Sequence, residues 1–288
     1  MTQDAAGTVD HVLYETRESV AWLTLNRPQY GNAQNVALLK ALDAAFMRAM
    51  GDDEVKVVVL CGAGKHFSSG HDIGTPERDI DQAFERVATP WYPHDNKGGA
   101  EKVFVREADA YLGLCRRWRE LPKPTIAMVH GACIAGGLML AWACDLIIAS
   151  DDAFFADPVV RMGIPGVEFF AHPYVLGPRK AKEFLFLGGR MFAAEAQSIG
   201  MINRVVPRTE LESQTTEIAN KIAKMPRFGL ALTKMAINQA EDRMGLRDSM
   251  DATYALHHLA HAHNTLASED YIGGRNIQSM KESLEEQS

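Results

Sequence analysis

Apolar, β-branched runs alternate with helical stripes along this chain. Residues 12–15 and 20–25 read as two strands around the turn Thr16-Arg17-Glu18-Ser19. Residues 35–50 carry Val36, Leu39, Leu42, Phe46 and Met50 at helical spacing. Residues 55–60 form the next apolar strand, and residues 124–129 another, bounded by Pro122 and Pro124. Strands are also expected over 145–149, 153–156 and 202–206, and helices over 101–120, 180–187 and 193–200, with one more beginning at Gly166. The 180–187 helix runs into Gly188-Gly189, as glycine C-caps do. Strand, helix and parallel strand in repeated order argue an α/β fold. From Thr209 onward the pattern is helical, over 210–224, 228–243 and 247–266. The resulting division is a disordered start (1–8), an α/β core (9–207) and a helical C-terminal region (208–288).

With 288 residues, 47% of them hydrophobic, the chain can bury a large core. A formal net charge of −7 favours neither nucleic acid nor an anionic membrane surface. Cys61, Cys115, Cys133 and Cys144 show no CxxC spacing. Buried thiols in a reducing cytoplasm are the simple reading. The N-terminus lacks the basic and apolar segments of a signal peptide, and no apolar run approaches the ~20 residues of a membrane span.

Candidate chemistry enters at two glycine turns. The 55–60 strand runs into Gly62-Ala63-Gly64-Lys65-His66-Phe67-Ser68-Ser69-Gly70-His71-Asp72-Ile73-Gly74. The 124–129 strand leads through Gly131, Gly136 and Gly137 into a helix that is apolar all round, Leu138 to Ala143. Glycines let backbone approach a ligand closely, and a helix start leaves N–H groups free. Two such turns can aim two N–H groups at one carbonyl oxygen that gains charge in a transition state. A tight strand-to-helix crossover with no ligand is the structural alternative for either turn alone.

At these turns the resemblance becomes specific. Phe67-Ser68-Ser69-Gly70-His71-Asp72-Ile73 resembles the first oxyanion segment of the crotonase (enoyl-CoA hydratase/isomerase) superfamily, and residues 131–145 resemble the second. Asn26-Arg27-Pro28 with Asn32-Ala33 is similar to the N-terminal signature, and Ala153-Phe154-Phe155 through Gly163-Ile164-Pro165-Gly166 to the third block. Similarity runs from about Val9 to about Gly274. It implies a crotonase-like α/β spiral of ββα units, with a helical C-terminal region that helps form a homotrimer or a dimer of trimers. It also implies an acyl-CoA substrate, with coenzyme A arriving as part of that substrate and no permanently bound cofactor or metal.

Carried over residue by residue, the oxyanion donors are the His71 and Gly136 N–H groups. The His71 side chain has no part in that role. His71-Asp72-Ile73-Gly74 matches the strip beside the CoA adenine. Arg27 and Lys65 are the candidates for the CoA phosphates, ordinary exposed cations being the alternative. Met139 and Val159 stand where the hydratases carry their two glutamates and would make that pocket wall apolar. Neither side chain moves a proton, so syn-hydration by the usual pair is not expected. Relative to the family the stretch between Gly74 and Leu121 is expanded by ~20 residues, the size of a functional loop. In that loop, over 76–101, Phe84, Trp91 and Tyr92 either cap an acyl pocket or pack the loop onto the core.

A relocated acid/base is therefore sought. Glu168 lies on the turn after Gly163-Ile164-Pro165-Gly166, and His172 follows at i+4, on one face if a helix starts at Gly166. A carboxylate that orients an imidazole near an oxyanion hole is a usable base. An acid at a helix start beside a packed histidine is the bland alternative. Asp157 is a further candidate, or else a turn residue before Pro158. Tyr254, His257, His258, His261 and His263 crowd one helix, with His257 and His261 at i, i+4. No carboxylate accompanies them at ligand spacing, so no metal is expected, although a histidine from this helix can reach the acyl pocket. An acyl-CoA enzyme that stabilises an enolate or tetrahedral intermediate is the leading expectation. A thioesterase-type hydrolase and a non-catalytic acyl-CoA-binding protein are the alternatives.

Overall fold

The computed structural model describes residues 10–273. The 1–8 segment and the end of the helical region after residue 273 lie outside them. Strands β1 (Val12–Arg17) and β2 (Val20–Leu25) form an antiparallel hairpin, and helix α1 (Val36–Gly51) follows. The Asn35 side chain caps α1 by accepting from the Leu38 N–H at 3.0 Å. The Asp79 carboxylate accepts from the Val36 and Ala37 N–H groups, which ties the 76–101 loop to the start of α1. Strand β3 (Val57–Gly62) pairs parallel with β2.

The chain then crosses the loop into one long helical stretch. It comprises α2 (Gly99–Glu107), a π-helical segment (Ala108–Gly113) and α3 (Leu114–Arg119). Strand β4 (Thr125–Val129) returns to the sheet, β5 (Ala132–Ile134) leaves it, and α4 (Gly136–Trp142) follows. Next come β6 (Leu146–Ser150) and β7 (Phe154–Ala156). Helices α5 (His172–Leu176) and α6 (Pro178–Leu187) precede β8 (Met191–Phe192), α7 (Ala193–Ser198) and β9 (Arg204–Val206). Three longer helices complete the described chain: α8 (Leu211–Ala223), α9 (Arg227–Arg243) and α10 (Leu246–Ser268).

Six strands form the main sheet in the order β1-β2-β3-β4-β6-β9, parallel from β2 onward. A smaller sheet joins β5, β7 and β8. Strand side chains alternate between two apolar layers. Val57, Val59, Ile126 and Ile148 meet Leu211 and Ala219 of α8, while Val58, Leu60, Ala127 and Ala149 face the core with α1, α3 and α4. Both faces are covered, which is why the central strands read as continuous apolar runs rather than alternating ones.

One expectation is corrected here, and one open alternative is resolved. No helix begins at Gly166, whose φ is +151°; residues 166–171 are irregular and α5 starts only at His172. The loop aromatics pack onto α2 instead of capping the site. Trp91 meets Phe104 edge-on at 5.4 Å, Phe84 lies 4.4 Å from the His94 ring, and the Tyr92 hydroxyl donates to Glu101. Trp91 and Phe104 border a separate cavity of about 520 Å³ with Arg116 and Tyr254. Among the described residues no helix is long and apolar enough to cross a membrane.

Candidate active site

The two glycine turns touch. The segment after β3 pairs with β5: the Ser68 N–H donates to the Ala132 carbonyl at 3.1 Å, and the Ile134 N–H donates to the Ser68 carbonyl at 3.0 Å. This brings Gly70, at φ +99°, against the second turn. A Cβ there would stand 2.8 Å from the Ile134 carbonyl oxygen, backbone that has no room to yield. At Gly136 a Cβ would stand 2.5 Å from the His71 ring. Ala135 between them holds a strained φ of +48°, fixed by its N–H donating to the Ala156 carbonyl at 2.8 Å. Gly136 is the first residue of α4, so its N–H has no partner within the helix. Among the described residues the His71 N–H also donates to nothing.

The His71 side chain, which has no part in the oxyanion role, also borders the cavity beside the turns. Its ring stacks on Tyr111, with centroids 3.6 Å apart and planes 7° from parallel. Its Nδ1 lies 3.7 Å from Glu168 Oε1. Burial lowers the His71 imidazole to about 4. Burial, reinforced by the charges of Glu107 and Asp157, raises the Glu168 carboxyl well above its ordinary value. Burial thus disfavours the charged form of both groups.

Glu168 and His172 do not work as a pair. Without a helix from Gly166 they share no face. His172 instead meets Asp157, Nε2 to Oδ2 at 2.9 Å, and both are completely buried. The Trp142, Phe170 and Phe184 rings surround that imidazole, and Asp157 also accepts from the Val167 N–H at 3.1 Å. This second pair braces the turn that carries Glu168, so neither Asp157 nor His172 stands as acid/base.

A small cavity of about 120 Å³ lies beside the turns. His71, Asp72, Ile73, Val159, Glu168 and Tyr111 border it, together with Glu107, His257, His261 and Tyr271. Met139 does not; it is buried in the core, because α4 is apolar on every side. Arg27 is likewise corrected. Its guanidinium is fully buried and donates to Asp72 Oδ2 at 3.0 Å, to Glu77 at 3.1 Å, to the Thr75 hydroxyl and to the Ala33 carbonyl. It holds the His71–Gly74 strip in place from behind and offers nothing to a phosphate. The Asp72 carboxylate is turned inward onto the same group. Lys65 is exposed on the turn after β3.

Glu107 is the group the sequence hid. It ends α2, and the π-helical segment after it turns Tyr111 onto His71. Its Oε2 lies 3.5 Å from His261 Nε2 and 3.7 Å from His258 Nε2. Burial works to raise this carboxyl, but His261, His258 and Arg106 outweigh it and hold it at about 2. The histidines of α10 therefore do have a carboxylate beside them, supplied by a distant helix.

The comparisons with known proteins agree with this geometry. The family model described as enoyl-CoA hydratase/isomerase matches residues 15–90 and 99–276. A putative enoyl-CoA hydratase of Mycobacterium tuberculosis is 43% identical over 259 residues, covering 88% of this chain and 81% of its own. The crystal structure of a probable enoyl-CoA hydratase from Mycobacterium smegmatis superposes with a TM-score of 0.82 at 46% identity, covering 91% of this chain and 98% of that one. A monofunctional enoyl-CoA isomerase, also from M. smegmatis, superposes with a TM-score of 0.60 at 29% identity, covering 81% of this chain and 95% of that one. With its sheet order, its paired glycine turns and a match over nearly all of the described chain, the protein belongs to the enoyl-CoA hydratase/isomerase family of the crotonase superfamily.

Proposed function

We propose that the protein is an acyl-CoA enzyme whose His71 and Gly136 N–H groups bind the thioester oxygen and whose Glu168 carboxyl moves the substrate proton. The observation that carries this reading is the placement of Glu168. It is a buried carboxyl bordering the cavity, 3.7 Å from the side chain of the residue that supplies one oxyanion N–H. As a proton leaves the α-carbon, its electron pair moves through the carbon–carbon bond onto the thioester oxygen. Two preorganised N–H groups lower the cost of that charge. The enolate then collapses by taking a proton back, and Glu168 is the group placed to give or receive it. Val159 adds apolar lining to the cavity. Coenzyme A enters with the substrate, its adenine along His71–Gly74 and a phosphate towards Lys65, and is not retained as a cofactor. Three copies, or two sets of three, form the working assembly.

A turnover screen over a panel of CoA esters, with product masses, tests this reading. Once a substrate is found, Glu168→Gln is expected to cost at least about a hundredfold in kcat, with CoA-ester affinity nearly unchanged. Release of free CoA would instead identify a thioesterase. Binding without turnover would identify a non-catalytic acyl-CoA-binding protein. Full activity in the variant would remove Glu168 from the chemistry.

A further inference from the structure

Three acceptor atoms meet at the inner end of the small cavity. His257 and His261 stand one turn apart on α10, and both are buried. His257 Nδ1 lies 2.8 Å from the Gly166 carbonyl oxygen, and His261 Nδ1 lies 2.8 Å from the Tyr271 carbonyl oxygen. A carbonyl only accepts, so each Nδ1 must carry the proton. Each neutral ring then presents the lone pair of its Nε2. His261 Nε2 faces the Glu107 carboxylate at 3.5 Å, His257 Nε2 lies 3.7 Å from Glu168 Oε1, and one ligand atom from each of Glu107, His257 and His261 lies within 4.8 Å of the others. Glu107 Oε1 faces Arg106 at 3.7 Å, whereas its buried Oε2 faces the histidines and has no hydrogen-bond partner among the described residues. In their neutral form the two rings and the carboxylate make a ligand set for a cation, with His258 Nε2 also 3.7 Å from Glu107 Oε2.

We propose that Glu107, His257 and His261 bind a divalent first-row transition-metal ion, with two imidazoles and one carboxylate as its protein ligands. The spacing fits. Ligand atoms at the usual ~2.1 Å from a tetrahedral ion stand ~3.4 Å apart, and His261 Nε2 is already 3.5 Å from Glu107 Oε2. The second shell fits as well. Metal-binding histidines donate their other ring N–H to a backbone carbonyl or carboxylate, which fixes the tautomer and raises ligand basicity. Here both do so. Nitrogen and carboxylate donors without thiolate select zinc, iron(II) or cobalt(II) over magnesium and calcium. The three ligands leave coordination positions open to the cavity, towards Glu168, whose Oε1 lies 3.7 Å from His257 Nε2. The rival occupant is a proton on His261 Nε2, shared with Glu107.

Metal binding is independent of the acyl-CoA chemistry and is tested without activity. The full chain, stripped with a chelator and dialysed at neutral pH, is titrated with Zn²⁺ alone and separately with Co²⁺ alone. One equivalent per chain is expected, with submicromolar affinity and visible d–d bands for the cobalt form. His261→Gln and Glu107→Gln should each bind at least about a hundredfold more weakly, the upper end for losing even a second-shell partner. Zinc-edge X-ray absorption of the loaded wild type needs no variant and should show two imidazoles with oxygen donors. Absence of a stoichiometric site, an undiminished site in folded variants, or a coordination shell with sulfur or a single imidazole would overturn the assignment and leave the protonated His261–Glu107 pair.

Discussion

The His71 imidazole lies flat on the Tyr111 ring, with centroids 3.6 Å apart and planes 7° from parallel. The contact joins the first glycine turn, a proposed oxyanion turn, to the π-helical segment that follows Glu107, two parts of the chain with no relation in sequence. It fixes one edge of His71 towards Glu168 and sets the ring against Gly136. The stack is worth about 1 kcal/mol beyond its buried area, little for stability but enough to hold a ring in one orientation. Tyr111→Phe keeps the stack and should stay within about threefold of wild-type kcat, since less than ~1 kcal/mol is at stake. Tyr111→Ala frees the ring and should cost about ten- to a hundredfold, the scale of a small misplacement near the reacting atoms. Equal activity in the two variants would show that the stack positions nothing.

Gly136 gives a sharper test of the oxyanion turn. A Cβ at this position would stand 2.5 Å from the His71 ring and 2.8 Å from Gln34 Oε1. The ring cannot retreat without leaving Tyr111, so Gly136→Ala should displace both the ring and the turn. Loss of one oxyanion donor costs roughly 10²–10³ in kcat, and Gly136→Ala should fall in that range. The carbonyl stretch of a bound CoA thioester should move back towards its value in water. An unshifted band in the variant would place the thioester oxygen elsewhere.

Asp72 links pH to the stability of the same strip. Burial works to raise its carboxyl, but hydrogen bonds from Thr75 and from Arg27 outweigh burial, so its folded value is lowered. A lowered carboxylate contributes stability above its unfolded value, and that contribution is lost as pH falls through the folded one. Asp72→Asn leaves the buried Arg27 guanidinium with only the part-exposed Glu77 as counter-charge, so its cost should lie below the ~3–5 kcal/mol of an unpaired buried charge. Urea midpoints should therefore separate widely between wild type and variant at neutral pH and converge in acid, below the ordinary carboxylate range. A separation that persists unchanged into acid would show that Asp72 acts by shape and not by charge.

The sheet and the long helices were legible because each is a local pattern. Residues 55–60 and 124–129 announce strands by composition, and 210–266 announces helices by period, so only the boundaries shifted. The glycine turns were legible because close backbone approach admits few residues. Side-chain partners were another matter. Glu168 was singled out, but its partner was read from i, i+4 spacing on a helix that does not form; Gly166 at φ +151° keeps that segment irregular. Arg27 looked like a surface cation because nothing local shows that Asp72, Thr75 and Glu77 close over it. Glu107 left no signal at all. Its meaning depends on α10 packing against α2, a contact between opposite ends of the chain. The one local hint was the unusual density of histidines on α10, which has no purpose as a solvated face.

The assembly prediction rests on apolar surface that a single chain leaves open. Phe186 and Leu187 at the end of α6 are 73% and 63% exposed, and Phe228 on α9 is 74% exposed. Phe192, Met225, Met235 and Ile237 are also more than half exposed or at that level. Scattered exposed apolar residues are ordinary, but several large ones on α6, β8 and α9 are candidates for an interaction surface. Closed rings of identical subunits bury such patches without leaving an open end, and the proposed ring has three. Sedimentation or light scattering at micromolar concentration should therefore give the mass of three or six chains. Phe228→Glu places a charge where an apolar contact is expected and should shift the mass towards a single chain, with the folded spectrum preserved. Phe186→Glu serves as the independent second site. A wild-type mass of one chain would refute the assembly outright. A trimer unaffected by both substitutions would keep the assembly and move its contacts away from α6 and α9.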